Sequence, residues 1–174
     1  MKLAAIHNLD TAVALIHRGL RLSIVSHITG IHPKTLRSLH HEIHGRRPTS
    51  GQMPSSSGIL STRLAQATAS VFAGLYRSTG GSDIYDQINM TALLAAHDLY
   101  LELIEGIIPR ASSIKPIDIN QAWVIARDIQ TKAVYFKHCS TCRIWFLCSE
   151  DSRLSPSCPI CTLRRRNISS TLKA

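Results

Sequence analysis

The chain has 174 residues, of which 44% are hydrophobic and only 5% aromatic. This composition excludes global disorder and predicts a domain with a mostly aliphatic core. Residues 1–50 hold seven Lys and Arg against two acids, and residues 132–174 hold eight against two. Residues 51–131 hold five against seven. Two basic ends on an acidic middle favour a polyanionic partner.

The N-terminal sequence MKLAAIHNLDTAV lacks the sustained apolar run of a signal peptide. No stretch reaches the roughly 18 apolar residues that a membrane-spanning helix needs. We therefore expect a cytoplasmic protein with no membrane partner. In that reducing compartment, the five cysteines are expected to be metal ligands or free thiols rather than disulfides.

Three helices are predicted in the first 45 residues. Apolar residues at helical spacing predict helices over 8–20 and 21–29, and Gly30 ends the second one. Pro33 is a favoured first helical residue and begins a third helix, which runs to His44. Residues 45–58 are rich in Gly, Pro and Ser and predict a loop.

Further helices are predicted over 60–77, 84–106 and 119–135, the last with Asp118 as its cap and preceded by a connector over 109–116. Six apolar residues of the second of these helices are expected in the core: Ile84, Ile88, Ala92, Ala95, Leu99 and Leu103. The helices make the fold class mainly α, and two CxxC pairs, Cys139–Cys142 and Cys158–Cys161, add a small C-terminal zinc-ribbon-like module. The expected organisation is a helix-turn-helix-like region (1–45), a loop (46–59), a helical core or partner region (60–135), a four-cysteine zinc module (136–166) and a basic tail (167–174).

The two helices on either side of Gly30 have the pattern of a helix-turn-helix. Small Ser26 permits a close helix crossing, and Val25, Ile31, Leu36 and Leu39 are placed to pack it. The third helix would then present polar and cationic groups to base edges and phosphates. Candidate DNA contacts are Lys34, Thr35, Arg37, Ser38, His41, Arg46, Arg47 and, near the C-terminus, Arg164, Arg165 and Arg166. An ordinary helical hairpin that only packs a core is the alternative.

The C-terminal third contains two CxxC pairs, Cys139–Cys142 and Cys158–Cys161, separated by fifteen residues. Each CxxC forms a tight turn that points two sulfurs at one spot, so two facing turns build the tetrahedron of thiolates that zinc prefers. A closed site of this kind has no position for water, so the single Zn²⁺ per chain would be structural. Free thiols and an iron–sulfur cluster are the alternatives. Cys148 falls outside the spacing and is expected as a buried small hydrophobe.

No catalytic pattern is found, and we expect a protein that is not an enzyme. His40 and His44 are spaced as in a metalloprotease helix, but such a motif needs Glu directly after the first His, and His41 stands there instead. Two function classes remain open beside DNA binding: an assembly subunit carrying a zinc ribbon, and a nucleic-acid-processing protein.

The order of these motifs resembles the FlhC family of flagellar regulators from about residue 8 to residue 166. The matching segments are LIHRGLRLSIVSHITGIHPKTLRSLHHEIHG (15–45), MP (53–54), AHDLYLEL (96–103), NQAWVIARDI (120–129) and the CSTC and CPIC pairs followed by three arginines. The chain departs from the family at SSSGILSTR (55–63), where members tend to carry an aromatic-rich stretch.

The resemblance implies a transcriptional activator of flagellar and other operons that acts with the FlhD subunit. In that family two FlhC chains join four FlhD chains, and the hetero-oligomer binds promoter DNA. Contact with RNA polymerase is also implied. The family's zinc ligands correspond to Cys139, Cys142, Cys158 and Cys161.

Overall fold

The computed structural model describes residues 2–49, 51–107 and 115–171, which form eight α-helices, one 3₁₀ turn and a two-stranded sheet. The chain divides into two compact units, Met1–Met53 and Pro54–Ala174. The mainly helical class predicted from the sequence is confirmed, with a small sheet and a cysteine cluster near the C-terminal end. No helix within the described residues is long and apolar enough to cross a membrane.

The first unit contains α1 (Lys2–His17), α2 (Leu22–Thr29) and α3 (Pro33–His44). Gly30 ends α2 at a φ of 69°, a left-handed conformation that glycine adopts without a side-chain clash. The His32 ring accepts the Lys34 backbone N–H at 3.2 Å and so caps α3. Apolar side chains from all three helices are buried together, among them Ala12, Leu15, Ile16, Val25 and Leu36.

The second unit is built around α5 (Arg63–Gly80). The elements that pack against it include α6 (Met90–Ile107), α7 (Ile119–Gln130), strand β2 (Trp145–Ser149) and α8 (Pro159–Thr171). A short helix, α4 (Ser56–Ile59), precedes α5. The buried centre holds a cluster of rings, in which Phe72 of α5 lies edge-on to Tyr100 of α6 with 6.0 Å between ring centroids.

Strand β1 (Val134–His138) pairs with β2 in an antiparallel hairpin. The register places Phe136 opposite Leu147 and His138 opposite Trp145. Directly opposed residues share one face of a sheet, so these four side chains lie on the same side of the hairpin. Val134 of β1 and Phe146 of β2 are buried.

Several predicted boundaries and faces are wrong, although the number of early helices is right. α1 begins at Lys2 rather than at residue 8, and the predicted helix over 119–135 ends at Gln130, where the chain turns into β1. A 3₁₀ turn occupies Gly81–Tyr85, and α6 begins only at Met90, because the Asn89 side chain caps it by accepting the Ala92 N–H at 3.0 Å. Asp118 caps α7 as predicted. Part of the predicted connector, residues 109–114, lies outside the described residues.

The predicted inner face of the helix over 84–106 is only partly right, since Ile84 and Ala92 are buried as predicted but the later residues are not. Helical spacing predicts Leu99 and Leu103 in the core, but they are 47% and 43% exposed. The buried stripe of α6 is instead rotated around the helix and comprises Ala92, Leu93, Ala96, His97, Tyr100 and Ile104. Spacing alone fits both stripes, because aliphatic residues occur on both sides of this helix.

Candidate metal centre and nucleic-acid interface

Two turns bring four sulfurs together at the C-terminal end of the second unit. Cys139 and Cys142 lie in the turn between β1 and β2, whereas Cys158 and Cys161 lie at the start of α8. All four sulfurs lie within 4.8 Å of one another. The Sγ atoms of Cys139 and Cys161 are 3.8 Å apart, and those of Cys142 and Cys158 are 3.6 Å apart.

These separations fit a tetrahedral metal site. Zinc–sulfur bonds of about 2.3 Å give a tetrahedron whose sulfurs lie about 3.8 Å apart. The two measured separations are close to this value and far longer than the roughly 2.05 Å of a disulfide. All five cysteines are free thiols. The four clustered cysteines can therefore hold one metal ion between the two turns.

The first cysteine turn is closed by backbone hydrogen bonds across the hairpin. The Cys139 N–H donates to the Ile144 carbonyl at 3.0 Å, and the Arg143 N–H donates to the Cys139 carbonyl at 2.8 Å. Arg143 has a φ of 59°, in the left-handed region. This conformation reverses the chain directly after Cys142 and leads it into β2.

The second cysteine turn is held by an arginine that the sequence analysis does not single out. Arg63, the first residue of α5, donates to the backbone carbonyls of Ser155 and Ser157 at 2.9 Å each. It also donates to the Ser155 hydroxyl at 2.6 Å. These bonds fix the loop immediately before Cys158. Because more than 90 residues separate the partners along the chain, no local pattern indicates the contact.

α5 also fixes the hairpin through two buried polar side chains. The Gln66 amide donates to the Leu147 carbonyl at 2.8 Å, and the Leu147 N–H donates to the Ser70 hydroxyl at 3.0 Å. Together these side chains satisfy both backbone groups of one β2 residue, as a third strand would. Arg63, Gln66 and Ser70 are spaced to lie on one face of α5, so a single helix holds both halves of the cysteine cluster.

The thiols of the cluster have strongly different pKa values. The Cys142 backbone N–H lowers the pKa of Cys139 to about 6. The Cys142 side chain and burial raise the pKa of Cys161 to about 12. Neighbouring thiolates repel one another, so all four sulfurs cannot ionise cheaply together. A divalent cation removes this repulsion, which is the electrostatic reason that such a cluster favours a metal.

Cys148 takes no part in the four-sulfur cluster. It lies in β2, is 5% exposed, and packs with Phe146 on the side of the hairpin facing the cluster. Burial raises the pKa of its thiol, so the residue stays neutral and acts as a small apolar group. This placement agrees with the prediction from its position outside the CxxC spacing.

The structure places the predicted DNA-contact residues of the first unit at its surface. Lys34, Thr35, Arg37, Ser38 and His41 are all exposed on α3, whereas Leu36 of the same helix is fully buried. Spacings of three and four residues put Lys34, Arg37, Ser38 and His41 on one face. The Ser38 hydroxyl donates to Glu42 at 3.2 Å, which adds one acid to the edge of that face. Arg46 and Arg47 are exposed just after α3.

Three histidines of the first unit have structural contacts. The His44 ring donates through Nε2 to the Ile16 carbonyl at 2.9 Å and so ties α3 to the end of α1. The His40 ring donates through Nδ1 to the Arg46 carbonyl at 3.1 Å. His17 lies edge-on to His44. These rings therefore position α3 and the arginine-containing segment after it.

Two of the three predicted arginines near the C-terminus, Arg164 and Arg165, are exposed on α8. The side chain of Arg166 lies outside the described residues, although its backbone belongs to α8. Because the cysteines at the start of α8 place this helix in the cluster, the two exposed arginines project from the cysteine module itself.

A family model described as "Flagellar transcriptional activator (FlhC)" matches residues 3–173. The chain belongs to the FlhC family. A relative from Gallionella capsiferriformans, named flagellar transcriptional regulator FlhC, is 26% identical over 131 residues, covering 75% of this chain and 69% of that protein. A relative of the same name from Enterobacter cloacae is 25% identical over 176 residues, covering 97% of this chain and 89% of that protein.

Membership of the FlhC family identifies the class of protein. The family consists of flagellar transcriptional regulators rather than enzymes. The resemblance based on the helix-turn-helix, the NQAWVIARDI segment and the cysteine pairs is confirmed over nearly the whole chain. Sequence reasoning misses the residues that support the cysteine cluster from α5, because Arg63, Gln66 and Ser70 make contacts that depend on the tertiary fold.

Proposed function

We propose that this chain is a DNA-binding subunit of a transcriptional activator of flagellar and other operons. The observation that carries the proposal is the exposed face of α3, with Lys34, Arg37 and His41 outward and Leu36 buried behind them. A three-residue turn that begins at left-handed Gly30 joins α2 to α3, as in helix-turn-helix proteins whose second helix enters the major groove. Cationic groups neutralise phosphates, while Thr35 and Ser38 are suited to base edges.

The cysteine cluster supplies the second part of the proposal, one structural Zn²⁺ per chain. Cys139, Cys142, Cys158 and Cys161 would be its ligands, and the metal would supply a cross-link between the hairpin and α8. The proposal is supported by the sulfur separations and by the all-thiolate donor set, which suits zinc. Arg164, Arg165 and Arg166 would add phosphate contacts of their own, and Arg164 and Arg165 are exposed on α8.

Elemental analysis tests the metal assignment. We expect about one zinc per chain, and Cys142→Ser should lose it together with the fold of the C-terminal module. Cys148→Ser provides the matched control, since this buried cysteine lies outside the cluster and its loss should leave the zinc content unchanged. Iron with inorganic sulfide, or a protein that folds with no metal, would contradict the assignment.

The third part of the proposal is an obligate partner of the FlhD type. The complex would have the family arrangement of two FlhC with four FlhD chains, and it would recruit RNA polymerase. An exposed aliphatic stripe on α6 supports a protein partner, and its members are spaced four residues apart: Ala95, Leu99 and Leu103. Acidic residues adjoin it on the same helix: Asp98, Glu102 and Glu105. The complementary surface is an apolar helix face flanked by cations.

A mobility-shift assay on flagellar promoter DNA, with and without the FlhD-type partner, tests the DNA-binding function. We expect tight binding by the complex and weak binding by the isolated chain. Replacing Lys34, Arg37 and Arg164–Arg166 with alanine should reduce the log–log salt slope by about 0.9 for each lost phosphate contact. An unchanged slope would overturn direct DNA contact by these residues. If the partner alone binds as tightly as the complex, the chain is an assembly subunit instead.

A further inference from the structure

A cationic and aromatic cluster, the Arg77 patch, lies on the face of the β1–β2 hairpin that adjoins the last turn of α5. It comprises Arg77, Phe136, His138 and Trp145. The Arg77 Cζ atom is 4.9 Å from the Phe136 ring centroid and 5.0 Å from the Trp145 ring centroid. The His138 and Trp145 centroids are 5.0 Å apart. Despite these contacts, Trp145 remains 46% exposed.

The charged side chains of the segment that contains the hairpin are all cationic. Residues 132–149 include Lys132, Lys137, His138 and Arg143 but no Asp or Glu. Among the described residues, no carboxylate forms an ion pair with Arg77. The chain offers a contrast in Arg127, which lies 5.4 Å from the Trp123 ring but also donates to Asp128 at 2.7 Å. Arg127 is therefore paired with a carboxylate, whereas Arg77 has no such partner among the described residues.

We propose that the Arg77 patch is a second DNA-contact surface, in which Arg77 binds a backbone phosphate and Trp145 packs on the adjoining sugar. This inference rests on the proposed DNA-binding function and adds a contact surface on the hairpin beside those on α3 and α8. The ligand is the sugar–phosphate backbone of duplex DNA, so the contact adds affinity without reading sequence.

The geometry explains why a phosphate suits the patch. The Arg77 Cζ atom lies over both rings at about 5 Å, and the ring contacts do not use the N–H donors of the guanidinium, which can bind an acceptor. Contact of the side chain with Phe136 and Trp145 also reduces the rotamer entropy that binding would otherwise cost. The His138 Nε2–H donates to the Arg143 carbonyl at 3.1 Å, which fixes the ring beside Trp145. Half-exposed Trp145 then presents apolar surface to a deoxyribose.

Trp145 fluorescence in the complex with the FlhD-type partner provides a direct test. Because the chain has two tryptophans, Trp123→Phe leaves Trp145 as the reporter of this chain; tryptophans of the partner are likewise replaced. Titration with duplex promoter DNA should change the emission and saturate together with the mobility shift. Arg77→Gln should reduce the log–log salt slope by about 0.9, whereas the matched control Arg127→Gln should leave the slope unchanged.

Folding and metal content are checked in the same samples. Arg77→Lys keeps the charge but loses the planar stacking, so it should keep the salt slope while binding several-fold more weakly. Zinc content and thermal melting of each variant show whether the hairpin is intact. If the complex binds DNA without a change in Trp145 emission, and Arg77→Gln keeps the wild-type salt slope, then the Arg77 patch does not contact DNA. The same conclusion would follow if the partner changes Trp145 emission and the addition of DNA causes no further change. No mobility shift by the wild-type complex would overturn the DNA-binding function itself, and the patch with it.

Discussion

Gln66 shows how a single buried side chain connects the helical core to the cysteine cluster. It is 3% exposed, and its amide donates to the backbone carbonyl of fully buried Leu147. That carbonyl lies on the edge of β2 opposite to β1, where a two-stranded sheet leaves its backbone groups without partners. Ser70 satisfies the N–H of the same residue. The hairpin is thus attached to α5 by directional bonds as well as by apolar packing.

We predict that Gln66→Leu destabilises the chain by about 1–3 kcal/mol, because the Leu147 carbonyl would stay buried without a donor. Urea denaturation measures the difference, and zinc content should fall in partly unfolded samples. Gln87→Leu is the matched control: Gln87 is exposed, and its replacement should change stability by no more than about 0.5 kcal/mol. Equal stability of the two variants would show that the hairpin does not depend on this amide.

At the scale of elements, local signals decide how much the sequence predicts. Gly30 and Pro33 mark boundaries by their own backbone preferences, so the predicted α2 and α3 agree with the structure to within a residue. The cysteine spacing is equally local and identifies the cluster. The predicted helix over 119–135 includes the start of β1, because Ile129 and Ala133 continue the helical spacing and only pairing with β2 makes residues 134–138 a strand. α8 lacks a strong apolar periodicity and is not predicted.

The junction between α7 and β1 carries backbone strain that can be relieved. Lys132 has a φ of 63°, and its N–H donates to the Ile129 carbonyl at 3.2 Å just after the helix ends. This position favours glycine. Lys132→Gly should therefore stabilise the chain by about 0.5–1 kcal/mol. This is a net value, because the relief of left-handed strain in the folded state exceeds the entropy that glycine adds to the unfolded state. Thermal melting checks the sign. Lys137→Gly, at a strand position with ordinary backbone, should destabilise instead.

At the scale of the whole molecule, the fold leaves a surface that its own core does not use. The stripe of Ala95, Leu99 and Leu103 runs along α6 beside the buried face that holds Tyr100. The sequence cannot distinguish these two faces, because both follow helical spacing and only the position of α5 selects between them. Because the Leu99 side chain lies outside the chain's own core, replacing it with a charged residue tests partner binding without disrupting that core.

We predict that Leu99→Asp leaves the isolated chain folded but weakens its complex with the FlhD-type partner. At an exposed helix position the change should alter the free energy of unfolding by no more than about 0.5 kcal/mol. A carboxylate buried in the interface should cost about 2 kcal/mol or more of binding free energy, which is roughly a thirtyfold loss of affinity. Circular dichroism and sedimentation measure the two effects separately. Leu93→Asp is the contrasting variant, since Leu93 is fully buried and its replacement should unfold the chain itself. Wild-type affinity for the partner in Leu99→Asp would remove this stripe from the interface, and the partner would then have to bind elsewhere on the chain.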